Sequence, residues 1–353
     1  MSKQTHMSVF IGRFQPPHKA HIDTIRYALK FSDIVLVLIG SAFKPADTRN
    51  PFSEIERQHM IRLCFNNEEN ERIEFDYISD HPYNDLAWVK NVQTAINKTY
   101  SNTFGWQDQQ DITLIGHHKD DSSYYLDLFP SYKQAEMENL YGLDSTNIRG
   151  LWLAGKEAWK NGNMKLVSHS VPQPVMVYLN DTMKHDRYQT LVKEYEFIKT
   201  YKLQWSQSPY PPTFVTADSL VTCLGHVLLV QRKAAPGEGL WALPGGFLNQ
   251  FETVKQCALR ELEEETKIKV PARVLEGSIV EDKLFDHPSR SLRGRTITTV
   301  FHIDLRGEKS LPRVKGSDDA VQAKWIPLDE FVRMQDKMFE DHYSIVTDLL
   351  GLG

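Results

Sequence analysis

The chain has 353 residues, enough for about two domains that each bury a core, and its 41% hydrophobic and 25% charged content is that of a soluble globular protein. A formal net charge of −5 gives no support to general nucleic-acid binding, and no apolar run approaches the ~20 residues that a membrane span needs. Cys64, Cys223 and Cys257 are few, scattered and odd in number, which favours a reducing cytoplasm over a disulfide framework. The opening MSKQTHMSVFIG lacks the long apolar segment of a secretory signal.

From the N-terminus, SVFIG reads as a strand, HIDTIRYALKF as a helix, DIVLVLIG as a second strand, SEIERQHMIRLCF as a second helix and DITLIG as a further strand. This alternation is the βαβ rhythm of a parallel sheet, so the fold class expected is α/β. Past residue 150 the texture changes: HDRYQTLVKEYEFIKTYKLQW predicts one long connecting helix, and SQSPYPPTF a proline-rich junction. The organisation expected is a first domain over 1–185, a connecting helix and linker over 186–205, and a second domain over 206–353. In the second, the runs TADSLVTCL and HVLLVQR precede a strongly acidic helix, and TITTVFHIDL and VQAKWIPL follow it, an α+β pattern.

The first strand leads directly into GRFQPPHKAHIDTI. A strand ending in Gly12 and Arg13, followed by a helix that begins near His18, offers free backbone N–H groups and the positive helix end to an anion. His18 and His21 stand one turn apart on one face. By itself such a pair is usually surface decoration, and two nitrogens make a poor metal site. In context, GRFQPxHxxH resembles the signature of the HxGH nucleotidyltransferase superfamily, with Ala20 in place of the motif's glycine. That resemblance implies a Rossmann-like domain that binds the phosphates of ATP at this helix start.

Further matches within residues 7 to 185 narrow the resemblance to the archaeal-type nicotinamide mononucleotide (NMN) adenylyltransferases. They are Ser41 after Gly40, Arg49 before Asn50, Pro51 and Phe52, Asn84 and Trp88 in YNDLAWV, the segment GHHKDDSSYYLDLFP, and Ser145, Thr146 and Arg149 in DSTNIRG. The resemblance implies that Arg13, His18, His21 and Arg149 act on the reacting phosphates. It implies that Gly12, Phe14, Gln15, Ser41, Arg49, Ser145 and Thr146 bind ATP or NMN, and that Asn84 and Trp88 recognise the nicotinamide, an aromatic platform suiting a flat cationic ring. Taken singly, Trp88 reads as a core residue, and Arg49 or Arg149 as a solvated charge.

The stretch from 245 to 268, GGFLNQFETVKQCALRELEEETKI, sets Glu261, Glu264 and Glu265 at i, i+3 and i+4 of a helix. The three carboxylates share a face and repel one another unless cations sit between them. Glutamates alone would mark an ordinary solvated surface. The whole run, however, resembles the Nudix box, G-x5-E-x7-R-E-U-x-E-E-x-G-U, matching at Gly246, Glu252, Arg260, Glu261, Leu262, Glu264, Glu265 and Ile268. The resemblance implies a magnesium site, or manganese in its place, on Glu252, Glu261, Glu264 and Glu265, with Arg260 orienting a neighbour. Lys267 stands where the family has glycine, which predicts either a positive φ at that residue or a helix that ends elsewhere.

Downstream, FDHPSRSLRGRTI resembles a segment of the ADP-ribose pyrophosphatases, with Ser291 and Leu292 in place of the family's Asp and Pro. It implies that Arg290, Arg293 and Arg295, with Gly245 and Gly246, contact ADP-ribose, or that the three arginines cross a subunit interface. Asp318 and Asp319 are candidates for the base that activates water. Together the two resemblances imply a cytoplasmic bifunctional enzyme, forming NAD from NMN and ATP and hydrolysing ADP-ribose, with no nucleic-acid or membrane partner and as a homodimer. Two other readings stay open: a different nucleotidyltransferase paired with a triphosphate house-cleaning Nudix activity, and a non-catalytic Nudix-like sensor of ADP-ribose. The intact glutamate set and the lack of a DNA-binding segment speak against the sensor.

Overall fold

The computed structural model describes residues 5–105, 110–116, 128–136 and 142–352. The chain divides into two compact units, Met1–Lys193 and Glu194–Gly353.

In the first unit, strands β1 (His6–Gly12), β2 (Ile34–Ile39), β3 (Ile73–Tyr77), β4 (Asp111–Gly116) and β5 (Lys133–Glu136) form one sheet in the order β3-β2-β1-β4-β5. Every pairing is parallel. Such a sheet is covered on both faces, so its strands read as continuous apolar runs. Alternate residues then feed two cores. Met7, Val9 and Ile11 of β1 join Leu36 and Leu38 of β2 and Val92, Ala95, Ile96 and Tyr100 of α4 (Asp85–Phe104). On the other face Phe10, Val35, Val37 and Ile39 meet Ile22, Ile25 and Ala28 of α1 (Lys19–Ala28), with Ile61 of α2 (Glu54–Arg62). The short α3 (Asn67–Asn70) precedes β3. After β5 the chain is helical: α5 (Ser145–Leu153), α6 (Gly155–Ala158), α7 (Met164–Ser170), α8 (Gln173–Thr182) and α9 (Asp186–Gln204). The helix expected as a connector forms as one element, α9, and the two units meet within it in sequence. The strand order reverses its direction of growth at β1 and β4, and ligands of such sheets gather at the carboxyl ends beside that point.

The second unit holds a mixed sheet. Strands β6 (Thr213–Cys223), β7 (His226–Arg232), β8 (Trp241–Ala242), β9 (Gly245–Phe247), β10 (Ile279–Phe285), β11 (Arg295–Asp304) and β12 (Ala320–Pro327) run in the order β10-β11-β6-β7-β12, with β8 beside β7 and β9 beside β6. The pairing of β6 with β11 is parallel, from Thr213 opposite Arg295 to Thr222 opposite Asp304. Helices α10 (Val254–Thr266), α11 (Ala272–Gly277), α12 (Leu328–Phe331) and α13 (His342–Leu350) complete the unit. Leu262 of α10 packs with Val221, Leu228 and Ile303 of the sheet, turning the glutamate face of the helix towards β9. The α+β pattern read from the sequence is therefore present, with one parallel pairing that local signals do not announce.

Candidate active sites

The first site lies where β1 ends. A Cβ on Gly12 would stand 2.8 Å from the Phe14 ring, so glycine is required there by packing. Phe14 takes φ +53 and is 1% exposed, and its ring meets His21 edge-on at 4.9 Å. Gln15 is buried too: its amide donates to the Phe52 carbonyl at 2.7 Å and accepts the Phe52 N–H at 3.1 Å. Both were expected to bind nucleotide; here the Phe14 ring packs on His21, and the Gln15 amide satisfies the backbone of Phe52.

His18 is the N-cap of α1, and its ring stacks on His21 with centroids 3.5 Å apart. The His18 N–H donates to His21 Nδ1 at 3.2 Å, so a neutral His21 carries its proton on Nε2. No acidic residue sits in the first turn of α1, which leaves that helix end electropositive. Arg149, 6% exposed, donates to the Gln15 carbonyl at 2.7 Å and to Thr146 Oγ1 at 3.1 Å. Burial, with Arg13 and Arg49 close enough to repel it, lowers the Arg149 pKa to about 10. The structure thus gathers three arginines that are far apart in sequence. Ser145 Oγ donates to the Pro16 carbonyl at 3.2 Å, which ties α5 to the same loop.

Ser41 takes φ +49, and its hydroxyl donates to Asp80, whose carboxyl is also paired with Lys44 at 2.8 Å and held below the ordinary range despite burial. Asn84 is exposed and caps α4 by accepting the Ala87 N–H at 3.0 Å. Trp88 is half-buried against the core, its ring 5.9 Å from Phe129. Of the segment GHHKDDSSYYLDLFP, residues 117–127 lie outside the described residues.

The second site is built on β9 and α10. A Cβ on Gly246 would stand 2.4 Å from Glu261 Oε1, and one on Gly245 would stand 2.2 Å from Asp218 Oδ1. Both glycines make room for carboxylates. Arg260 forms a bidentate pair with Glu252 at 2.7 and 2.9 Å and donates at 2.8 Å to both Glu261 and Glu264. It holds the Glu252 carboxyl down at about 2. Glu265 points elsewhere: it is 7% exposed and accepts the Gly245 N–H at 3.0 Å. The expectation of one shared face is met only in part, since Glu261 and Glu264 turn to Arg260 while Glu265 turns inward. Burial, with Glu261 and Asp218 nearby, pushes Glu265 up to about 8. Among the described residues no three acidic, histidine or cysteine side chains stand arranged to hold a metal ion as they are. The donor set nevertheless fits a hard divalent cation. All of its groups are carboxylate oxygens, and crowded, partly protonated acids are what a cation would ionise.

Around this centre the arginines divide. Arg290 is buried, with Nε and Nη2 each 3.0 Å from the Asp341 carboxylate. Its guanidinium, expected from the sequence to meet substrate, is paired with Asp341 inside the unit. Arg293 lies over the Phe247 ring at 5.1 Å, and Arg295 is paired with Asp286. Ser291 donates to Glu340 at 2.8 Å. The loop carrying Asp318 is seated on the end of α10 by Lys315 N–H to Thr266 O at 2.7 Å and Ser317 N–H to Glu265 O at 3.0 Å. Burial, with Glu264 and Asp318 nearby, raises the Glu261 pKa against the opposing pull of Arg260. No motif in the sequence announces Arg57, which donates to the Arg13 and Gly40 carbonyls, Asp218 beside Gly245, or Asp341 on Arg290. Each is a single residue in an unremarkable run, and only folding brings it to its partners.

A pattern described as cytidylyltransferase-like matches residues 9–150, and one described as NUDIX domain matches residues 214–349. The nicotinamide/nicotinic acid mononucleotide adenylyltransferase of Acinetobacter baylyi is 37% identical over 188 residues, covering 53% of this chain and 92% of that protein. The ADP-ribose pyrophosphatase of Methanocaldococcus jannaschii is 30% identical over 164 residues, covering 46% of this chain and 85% of that protein. A crystal structure of a bifunctional NMN adenylyltransferase/ADP ribose pyrophosphatase from Francisella tularensis, complexed with AMP and an Mn ion, matches over 99% of both chains with 34% identity and a TM-score of 0.88. With a cation-rich site on its parallel sheet and a glutamate-rich site beside its mixed sheet, the chain belongs to the family of bifunctional NMN adenylyltransferase/ADP-ribose pyrophosphatases.

Proposed function

We infer that the first unit forms NAD and pyrophosphate from NMN and ATP, and that the second cleaves ADP-ribose to AMP and ribose 5-phosphate. The observation that carries this is the opposite charge of the two sites: Arg13, Arg49 and Arg149 converge on one, Glu252, Glu261, Glu264 and Glu265 on the other.

The nucleophile of the first reaction is a phosphate monoester, whose second pKa of about 6 leaves it ionised at neutral pH, so no strong base is needed. Its oxygen attacks the α-phosphorus of ATP as pyrophosphate departs. Arg13, Arg49 and Arg149 hold the triphosphate, and His18 and His21, at the positive end of α1, donate to the charge that builds on it. Asn84 and Trp88 hold the nicotinamide end of NMN.

Hydrolysis of a diphosphate by water is harder, because water must lose a proton as it attacks. Magnesium on Glu252, Glu261, Glu264 and Glu265 would supply charge neutralisation for the diphosphate. Arg260 keeps Glu252, Glu261 and Glu264 together, the Gly245 N–H holds Glu265, Gly246 leaves room for Glu261, and Asp318 is the proposed acceptor of the water's proton. Arg293 and Arg295, both partly exposed, are proposed to meet the substrate. The proposed setting is the cytoplasm and the proposed assembly a homodimer; no described helix is long and apolar enough to cross a membrane.

The test is product analysis by chromatography with magnesium present. NMN plus ATP should yield NAD, and kcat/KM for ADP-ribose should exceed that for a nucleoside triphosphate by about tenfold or more, as expected where polar contacts select the substrate. Absence of NAD, or comparable turnover of a triphosphate, would overturn the corresponding half.

A further inference from the structure

Arg57 lies outside every motif that points to the adenylyl-transfer site, yet it is 1% exposed and one of the largest fully buried side chains. A buried guanidinium is costly unless its donors are used. Glu54, Asp80 and Glu56 are close enough to act on its charge, but among the described residues none forms an ion pair with it. Its donors go to four main-chain carbonyls. Nε donates to Ser53 at 3.1 Å, Nη1 to Arg13 at 2.8 Å and to Gly40 at 2.6 Å, and Nη2 to Ser41 at 3.1 Å. These carbonyls come from three segments: the chain leaving β1, the chain leaving β2 and the cap of α2.

A carbonyl fixed in this way fixes its whole peptide plane, and in a trans peptide the N–H points opposite to the C=O. The cis bonds found are Gln15–Pro16 and Ala235–Pro236, so the Arg13–Phe14 and Gly40–Ser41 peptides are trans. The N–H groups of Phe14 and Ser41 are therefore aimed away from Arg57. Among the described residues neither of them donates to another group of the protein. Both belong to loops at the carboxyl edge of the parallel sheet, beside Arg13 and the His18–His21 stack.

We propose that Arg57 is a positioning residue for adenylyl transfer: by gripping the Arg13 and Gly40 carbonyls together, it aims the Phe14 and Ser41 N–H groups at the phosphates of the nucleotide. This rests on the assignment of the first unit to adenylyl transfer. The planar fork of arginine is what the task requires, because one rigid group reaches carbonyls of separate segments at fixed angles, and the point charge of lysine does not. N–H donors set in advance contribute most where negative charge develops, so the effect belongs in kcat.

The experiment compares Arg57→Lys and Arg57→Met with the wild type in full-length protein. It measures kcat and KM for NAD synthesis with NMN and ATP, ADP-ribose cleavage, and thermal unfolding. Expected is a fall in kcat of about 10² in both variants, with KM for NMN within about threefold of wild type, cooperative unfolding retained and ADP-ribose cleavage unchanged. Wild-type protein that makes no NAD would sink the assignment of the site before any variant is compared. Given wild-type synthesis, variants within about threefold of its kcat, or a loss confined to KM, would overturn the positioning role. Arg57→Lys is the conservative change; if it abolished cooperative unfolding as Arg57→Met did, the residue would be holding the fold and the proposal would likewise fail.

Discussion

Lys267 occupies φ +45, ψ +34 at the end of α10, the left-handed conformation in which a side chain crowds its own backbone. One of the two outcomes expected from the sequence is thus the one found. Replacing it by glycine should stabilise the second unit by about 0.5–1 kcal/mol, read as a higher denaturant midpoint at unchanged slope. No gain in midpoint would show that Lys267 makes a compensating contact. Arg290 presents the opposite case, a charged side chain that the segment around it marks as substrate-facing and that folding takes inside. Burial works against its charge and Asp341 restores it, so the guanidinium stays protonated with a pKa above the ordinary range. Arg290→Gln would strand the Asp341 carboxylate and should cost about 3–5 kcal/mol in chemical unfolding. Arg293→Gln, beside the exposed Phe247, should leave stability within about 0.5 kcal/mol and raise KM for ADP-ribose. A stability loss in the second variant and none in the first would reverse the assignment. What separates the two arginines is a partner 51 residues downstream, which no local pattern discloses.

At the scale of elements, helices α1 and α10 were legible because each is announced within about fifteen residues by glycine, a turn and a capped helix start, although Gly245 and Gly246 lie in the short strand β9 that the sequence did not announce. The order of strands was not. The long parallel pairing of β6 with β11 joins segments about eighty residues apart, and hydrophobic alternation is indifferent to which neighbour a strand chooses. Helix α13 shows the same limit. Its first residue, His342, is buried and accepts the Leu243 N–H at 3.0 Å, just past β8. Burial lowers its pKa; Asp218, Asp341 and Glu340 oppose that, while Arg290 adds to it. A histidine whose native pKa lies below its unfolded value of about 6.5 takes up fewer protons folded than unfolded, so its contribution is present above that pH and lost as pH falls through the native value. Protonation would also cost the Leu243 N–H its acceptor. Stability of the second unit should therefore decline below about pH 6.5, and His342→Gln, which cannot titrate, should flatten that limb of the curve of unfolding free energy against pH. Identical acid limbs in the two proteins would refute this role for His342.

For the whole molecule, the proposed function gives one chain two independent chemistries, each made by its own unit with electrostatics of opposite sign. On the proposed function, arginines, helix-end N–H groups and a histidine pair in the first would stabilise charge on a nucleotide, and the glutamates of the second would hold a cation beside a diphosphate. Both candidate sites carry a motif in the sequence, whereas Arg57, Asp218 and Asp341 became visible only with their partners. The most direct measurement is a crossed assay of His21→Ala and Glu264→Gln, each tested for NAD synthesis from NMN and ATP and for ADP-ribose cleavage, with folding checked by thermal unfolding. His21 packs against Phe14 in the first unit, and Glu264 is a partly exposed partner of Arg260 in the second. Each substitution should lower its own reaction by about 10² to 10³ and leave the other within about twofold. Folded variants in which either substitution disabled both reactions would contradict two independent sites and point to a single shared one.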